Sequence, residues 1–340
     1  MYLPPIYTAN AHPIIVHRII AYPYDTVYFI NYASLHWATN NIKGVKQERP
    51  NVNEATALNL EVLQQQLDTV VFGQVGRLRY VSIIDSTNTA AMKLAQEGRA
   101  EEGCVILTDS QTAGRGRLGR PWIDTFGYNV LSSTILKPHF PLALLVMIAS
   151  LAVVDAIADV CKVTATIKWP NDVLLDEQKV AGILIETTRD SAGQMIAVMG
   201  IGINVSRPPV HIEVAQDLTR KAITLEAVCG QRVSREALIA RLLKHIETSY
   251  NLLQQETLPS VTSGTASMDV GGNWGPASRR IRERWRSRLA TLGRTIEVRQ
   301  GDAVLSGVAE DVDDNGELLL RRHSGERVSI TWGDVGYPTA

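Results

Sequence analysis

Apolar positions fall into a regular rhythm only from about residue 55 onward. "EATALNLEVLQQQLDTVVF" spaces its apolar residues as an amphipathic helix and leads into "RLRYVSIID", a strand ending near Asp85. "STNTAAMKLAQEG" predicts a helix with Ser86 or Thr87 near its N-cap and Gly98 as its stop. "GCVILTDSQ" and "NVLSSTIL" read as short apolar strands. A long apolar helix is predicted from Pro141 to about Val160. "TATIKWP", "KVAGILIET" and "MIAVMGIGINV" follow as strands, the last two apolar on both faces. "REALIARLLKHIETSYNLLQQ" is a second long amphipathic helix. From Thr295 short runs alternate with turn residues, as at Asp314-Asn315-Gly316 and Ser324-Gly325, predicting a small all-β barrel of hairpins. The whole is an α/β or α+β core with helices packed on a sheet, plus a β tail.

This pattern sets the expected domains. Residues 1–55, rich in Pro, Tyr, His and Asn, show no sustained period and are read as a poorly ordered extension of unknown role. Residues 56–256 form the main domain, and 257–280 a Gly/Ser-rich insertion or linker. Residues 281–340 form the β domain.

Composition narrows the function classes. A chain of 340 residues with 45% hydrophobic and 20% charged residues has ordinary globular composition. A formal net charge of −1 supplies no basic field for nucleic acid. Cys104, Cys161 and Cys229 lie far apart with no C-x-x-C, which fits a reducing cytoplasm rather than a disulfide scaffold or zinc site. The most membrane-like stretch, Pro141 to Val154, is shorter than the roughly 20 residues that span a bilayer, so a buried helix is expected. The N-terminus lacks the basic region and cleavage site of a signal peptide.

"GRGRLGR", Gly114 to Arg120, satisfies G-x-G-x-x-G, but Pro121 and Trp122 follow it directly instead of a helix. No acidic residue stands near Leu136 to Pro141 to hold a ribose, and no Gly-Lys-Ser/Thr closes a phosphate loop. Three arginines that repel one another instead suit a flap ordered by anions, with glycines that let the backbone bend around a ligand.

The order of the motifs "DSTN", "QTAGRGRLGRPW", "KWPNDVLL", "KVAGILIE" and "GIGINV", ahead of a small β tail, resembles the bacterial biotin protein ligases. The resemblance covers roughly Ala55 to the C-terminus and departs from the family at the Gly/Ser-rich insertion. It implies a class II aminoacyl-tRNA-synthetase-like α+β catalytic core with a mixed sheet, and an SH3-like C-terminal β-barrel. It also implies the activity of a biotin-acetyl-CoA-carboxylase ligase. Biotin and ATP form biotinyl-5′-AMP with release of pyrophosphate, and biotin then passes to a lysine of a biotin carboxyl carrier protein.

By the family's pattern, Arg115 and Lys179 are expected catalytic residues, and Asp172 joins them as a candidate base on chemical grounds. Ser86, Thr87, Asn88, Gln111, Arg115, Gly116, Arg117 and Lys179 are expected at biotin. Arg117, Trp122, Lys168, Asn171 and Asn204 are expected at the nucleotide. Mg²⁺ arrives with the nucleotide, with Asp172 the one candidate protein ligand and also the candidate base for the acceptor lysine.

Residues 1–55 show no helix-turn-helix pattern, so a monofunctional, cytoplasmic ligase without nucleic-acid or membrane partners is expected, as monomer or homodimer. The alternatives are a lipoate-protein ligase, which shares acyl-adenylate chemistry but lacks the arginine flap joined to K-W-P-N-D, and a biotin-sensing module without catalysis.

Overall fold

A computed structural model describes residues 57–190, 192–206, 222–256 and 275–338. The expected extension at 1–55 and most of the 257–280 stretch lie outside these residues. A seven-stranded sheet forms the core, in the order β1-β2-β3-β7-β6-β5-β4. Its strands are β1 (Leu78–Ile84), β2 (Val105–Gln111), β3 (Asn129–Leu136), β4 (Thr166–Lys168), β5 (Asp172–Leu175), β6 (Gln178–Arg189) and β7 (Met195–Asn204). Only β1 and β2 run parallel; every other pairing is antiparallel. The sheet is therefore mixed, as expected.

Alternation along the strands builds two apolar layers, because successive side chains point to opposite faces. Val105 and Leu107 join the larger core, whereas Ile106 between them joins a small cluster with Ala91, Ala95 and Val198. Helix α2 (Thr87–Gln96) supplies Ala91 and Ala95 to that small layer, after α1 (Leu60–Gln66) earlier in the chain. Ser86 caps α2, accepting from the Thr89 N–H, and Gly98 takes φ +65° just beyond its end.

The opposite face carries α3 (Ala143–Cys161), α4 (Leu225–Cys229) and α5 (Arg235–Gln254). By length and composition α3 could cross a membrane, with a mean hydropathy of 2.3. It is instead the core helix, buried over most of its length against α5 and β6, which explains why it is apolar all round. Helix α5 turns Leu238, Leu242, Ile246, Tyr250 and Leu253 inward. Its Glu247, buried at 3% exposure, accepts the backbone N–H groups of Val70, Val71 and Phe72. Those bonds are what make a buried carboxylate tolerable.

Helix α6 (Pro276–Ser287) starts with proline in its first turn and crosses the expected junction at 280/281. Its arginines pair outward: Arg282 with Asp314, Arg284 with Asp155 and Arg286 with Asp311. The C-terminal strands are β8 (Thr295–Gln300), β9 (Ala303–Val312), β10 (Leu318–Arg321), β11 (Arg327–Ile330) and β12 (Asp334–Gly336). They form an antiparallel sheet in the order β11-β10-β9-β8-β12. This sheet is fastened to the core at the turn after β4. Trp169 donates its backbone N–H to Thr291 Oγ1 at 3.0 Å and its indole N–H to the Gly316 carbonyl at 2.8 Å. The Trp169-Pro170 peptide is cis.

Candidate active site

A cleft opens on the α2 side of the sheet. Its wall brings together Ser86, Thr87, Asn88, Gln111, Arg115, Gly116, Arg117, Trp122, Asn171 and Lys179. Asp172, Lys168 and Asn204 are not on that wall. Asp172 lies directly behind it, with Oδ1 2.7 Å from Lys179 Nζ. Lys168 is buried, its ammonium 5.1 Å from the centre of the Tyr337 ring in the C-terminal region. Asn204 ends β7, where it accepts from Asn129 Nδ2 at 3.1 Å and donates to the Lys179 carbonyl.

One part of the cleft is neutral and hydrogen-bonding. The first turn of α2 projects Thr87 and Asn88 inward, and its N–H groups are largely satisfied within the protein, that of Thr89 by the Ser86 hydroxyl. Gln111 Oε1 accepts the Thr87 N–H at 2.9 Å, and Ser133 Oγ lies 2.7 Å from Thr87 Oγ1 and 2.6 Å from Asn88 Oδ1. Asp124 holds Gln111 from behind by accepting its backbone N–H at 3.0 Å and the Ser110 hydroxyl at 2.8 Å. Burial raises the Asp124 carboxyl above its ordinary range, against the pull of these two bonds.

The neighbouring part is cationic. Residues 114–122 fold back on themselves, with Gly116 N–H donating to the Arg120 carbonyl and Trp122 N–H to that of Gly114. Leu118 and Gly119 take positive φ at the apex. Arg115 pairs with Glu186 at 2.9 Å, Arg117 donates to Asn171 Oδ1 at 2.9 Å, and Arg120 pairs with Asp334 at 2.6 Å. Burial lowers the Arg117 guanidinium from its ordinary value, while the charges of Asp172 and Asp334 oppose that shift.

Glycine shapes the floor. Gly182 on β6 and Gly202 on β7 face each other across the sheet, and the Trp122 ring lies against both. A Cβ at Gly202 would stand 2.5 Å from the ring, and one at Gly200 would stand 2.2 Å from Asn88 Oδ1. The small residues of "GIGINV" are therefore seats for the two side chains above them. Trp122 Nε1 is buried without a hydrogen-bond partner.

Sequence reasoning missed Glu186, Asp124, Ser133 and the purpose of these glycines. Period-two alternation from Gly182 through Leu184 to Glu186 carried a signal for the first. The others depend on long-range contacts.

Residues 80–204 match the Biotin/lipoate A/B protein ligase family, and residues 291–335 match the Biotin protein ligase C terminal domain. A biotin-acetyl-CoA-carboxylase ligase of Paracoccus denitrificans is 34% identical over 249 residues, covering 72% of this chain and 94% of that protein. The Bifunctional ligase/repressor BirA of Bacillus subtilis is 32% identical over 262 residues, covering 76% and 73%. The solved biotin protein ligase of Aquifex aeolicus in complex with biotin and ATP shares the fold, with a TM-score of 0.60 at 24% identity. It covers 76% of this chain and 97% of that one. The chain belongs to the biotin protein ligases of the biotin/lipoate A/B protein ligase family.

Proposed function

We propose that the chain activates biotin with ATP to biotinyl-5′-AMP, releasing pyrophosphate, and transfers biotin to a lysine of a biotin carboxyl carrier protein of acetyl-CoA carboxylase. The observation that carries this reading is the polarity of one cleft. Neutral hydroxyl and amide groups at the start of α2 stand beside Arg115, Arg117, Lys179 and an indole on a glycine floor. The first set suits a cyclic urea, and the second suits a carboxylate meeting a phosphate and an adenine.

In the first step a biotin carboxylate oxygen attacks the α-phosphorus, and the bond from that phosphorus to the bridging oxygen breaks as pyrophosphate leaves. Two anions must approach, so positioned cations lower the repulsion and stabilise the developing charge. Arg115, Arg117 and Lys179 fill that role, and Trp122 stacks on the adenine, with Asn171 alongside. In the second step the carrier lysine attacks the acyl carbon and AMP leaves. A lysine is almost wholly protonated at neutral pH, since its free pKa is about 10.4, so a base must take a proton. Asp172 is that base in this reading: once Lys179 turns to phosphate, the carboxylate now paired to it becomes an acceptor.

Among the described residues no three His, Cys, Asp or Glu side chains cluster. A Mg²⁺ ion carried in on the triphosphate would be held mostly by phosphate oxygens, with Asp172, beside Lys179 at the cleft, as the candidate protein ligand. Such an ion neutralises phosphate charge. We read the core as class II synthetase-like, the C-terminal sheet as an SH3-like barrel, and the protein as a cytoplasmic ligase.

The test incubates the full chain with ATP labelled at the α-phosphate, Mg²⁺ and either biotin or lipoate, and separates the nucleotides. A biotin-dependent adenylate that is consumed on adding a biotin carrier domain is expected. A lipoate-dependent adenylate overturns the substrate, and binding of biotin without adenylate overturns catalysis.

A further inference from the structure

Glu186 sits where two parts of the cleft meet. Its Oε2 accepts from Asn88 Nδ2 at 2.8 Å and from the Arg115 guanidinium at 2.9 Å. One carboxylate oxygen thus joins the first turn of α2 to the first arginine of the flap.

The direction of the hydrogen bonds behind Asn88 follows from this contact. An ionised carboxylate can only accept, so the Asn88 NH₂ must face Glu186, and its Oδ1 must face Ser133. Ser133 has one hydroxyl proton, and Asn88 Oδ1 can only accept it. The bond between Ser133 and Thr87 then runs from Thr87 to Ser133, and the remaining acceptor near the Thr87 hydroxyl, Gln111 Oε1 at 3.2 Å, lies in the wall as well. Either way the Thr87 proton is committed inside the protein. Its lone pairs are what Thr87 presents to the cleft. Asn88 has no alternative pose, being 4% exposed and seated on Gly200.

We propose that Glu186 is a positioning residue for both parts of the site. It fixes the chain Thr87–Ser133–Asn88 so that Thr87 offers an acceptor to a ureido N–H, and it holds Arg115 against that same chain. The urea assignment rests on the biotin reading above; the link to the flap does not.

Two variants separate the parts. Glu186→Gln keeps an oxygen for Asn88 but removes the charge opposite Arg115, whereas Glu186→Ala removes both. Biotin affinity is measured by calorimetry on the full chain, and amide exchange of Gly116, Arg120 and Trp122 is measured without ligand. Glu186→Ala is expected to weaken biotin roughly tenfold, the scale of one lost hydrogen bond to a charged group. Combined with Thr87→Val it should add little beyond Thr87→Val alone, because both act through one chain. Glu186→Gln should weaken biotin less than Glu186→Ala, because its amide can still accept from Asn88 and the Leu184 carbonyl favours the same Asn88 orientation, while flap exchange quickens with the loss of the charge pair.

Additive losses in the double variant, or flap exchange unchanged in Glu186→Gln, overturn the proposal. Should Glu186→Ala fail to fold, the Glu186→Gln exchange decides alone. A parent that binds lipoate and no biotin refutes the ligase reading instead, and the exchange experiment still tests the link to Arg115.

Discussion

Gly200 and Gly202 lie on one face of β7, two residues apart, and a single methyl at each should injure a different substrate. At Gly202 an added Cβ stands 2.5 Å from Trp122 Cε2 and Cζ2. Carbon atoms settle at about 3.5–4.0 Å, so the ring must lift by roughly 1 Å. It can do so, because the indole N–H has no partner to lose and the ring borders an open cleft. The stability cost should therefore stay near the lower end of the ~1–3 kcal/mol typical of overpacking. A stacked pair contributes about 0.5–1.5 kcal/mol beyond its buried area, so losing most of it should raise the KM for ATP about 2–10-fold. At Gly200 the Cβ stands 2.2 Å from Asn88 Oδ1, which accepts from Ser133 while the Asn88 Nδ2 donates to Glu186. That amide has nowhere to go. Gly200→Ala should therefore raise the KM for biotin more than that for ATP and destabilise the fold by the larger part of the same range, about 2–3 kcal/mol. Steady-state adenylate formation with each substrate varied in turn, alongside thermal unfolding, separates the two. If Gly202→Ala raises both KM values equally, or neither, Trp122 does not serve the nucleotide and the division of the floor is wrong.

Three further outcomes are expected. Asp172→Asn should slow transfer from preformed adenylate to the carrier about 100-fold, the low end for a lost general base; an unchanged single-turnover rate removes Asp172 from that role. Glu247→Gln replaces a charged acceptor of three backbone N–H bonds, so it should cost about 2–3 kcal/mol and lower Tm by roughly 5–10 °C without changing the KM values. The hydrogen bond from Arg286 holds the Asp311 carboxyl below its usual range, against a smaller contribution from burial. A depressed carboxylate stabilises the fold above its unfolded pKa of about 3.9 and loses that contribution as pH falls through the folded value. The pair is solvent-screened and worth under about 1 kcal/mol, so Asp311→Asn should unfold slightly earlier than the parent at pH 7 and coincide with it well below pH 4.

The long elements were legible from unbroken apolar runs, as in α3, apolar all round, and β7, apolar on both faces. Strand β5 was not. Asp172–Leu175 is four residues long, follows a tight turn, and becomes a strand by pairing with β4 and β6 on either side. Helix α4 is five residues, below the length at which a period can be counted. The start of α6 had a local signal in Gly275-Pro276, which the surrounding Gly and Ser residues masked. At the site, motif order picked out ten residues that the fold gathers into one cleft. It also picked out Lys168, which lies buried behind the cleft wall with its ammonium near the Tyr337 ring. The glycine seats were beyond any local reading, since their meaning lies in side chains about 80 to 110 residues away.

The arginine loop shows how the same physics serves both folding and chemistry. Like charges in seven residues should repel, and sequence alone points to an external anion as the remedy. The fold supplies internal partners, each from a different element: Glu186 of β6 for Arg115, Asn171 before β5 for Arg117, and Asp334 of β12 for Arg120. The flap's register thus depends on the core sheet, the K-W-P-N-D turn and the C-terminal sheet together. The two ion pairs are partly exposed, Arg115 at 47% and Arg120 at 50%, so each is worth under about 1 kcal/mol. Bonds that weak order a loop without locking it. A phosphate oxygen bearing more charge than Asn171 can take Arg117, and a carboxylate can compete with Glu186 for Arg115. A loop built on exchangeable internal partners can be in place before substrate arrives and still release its cations to it.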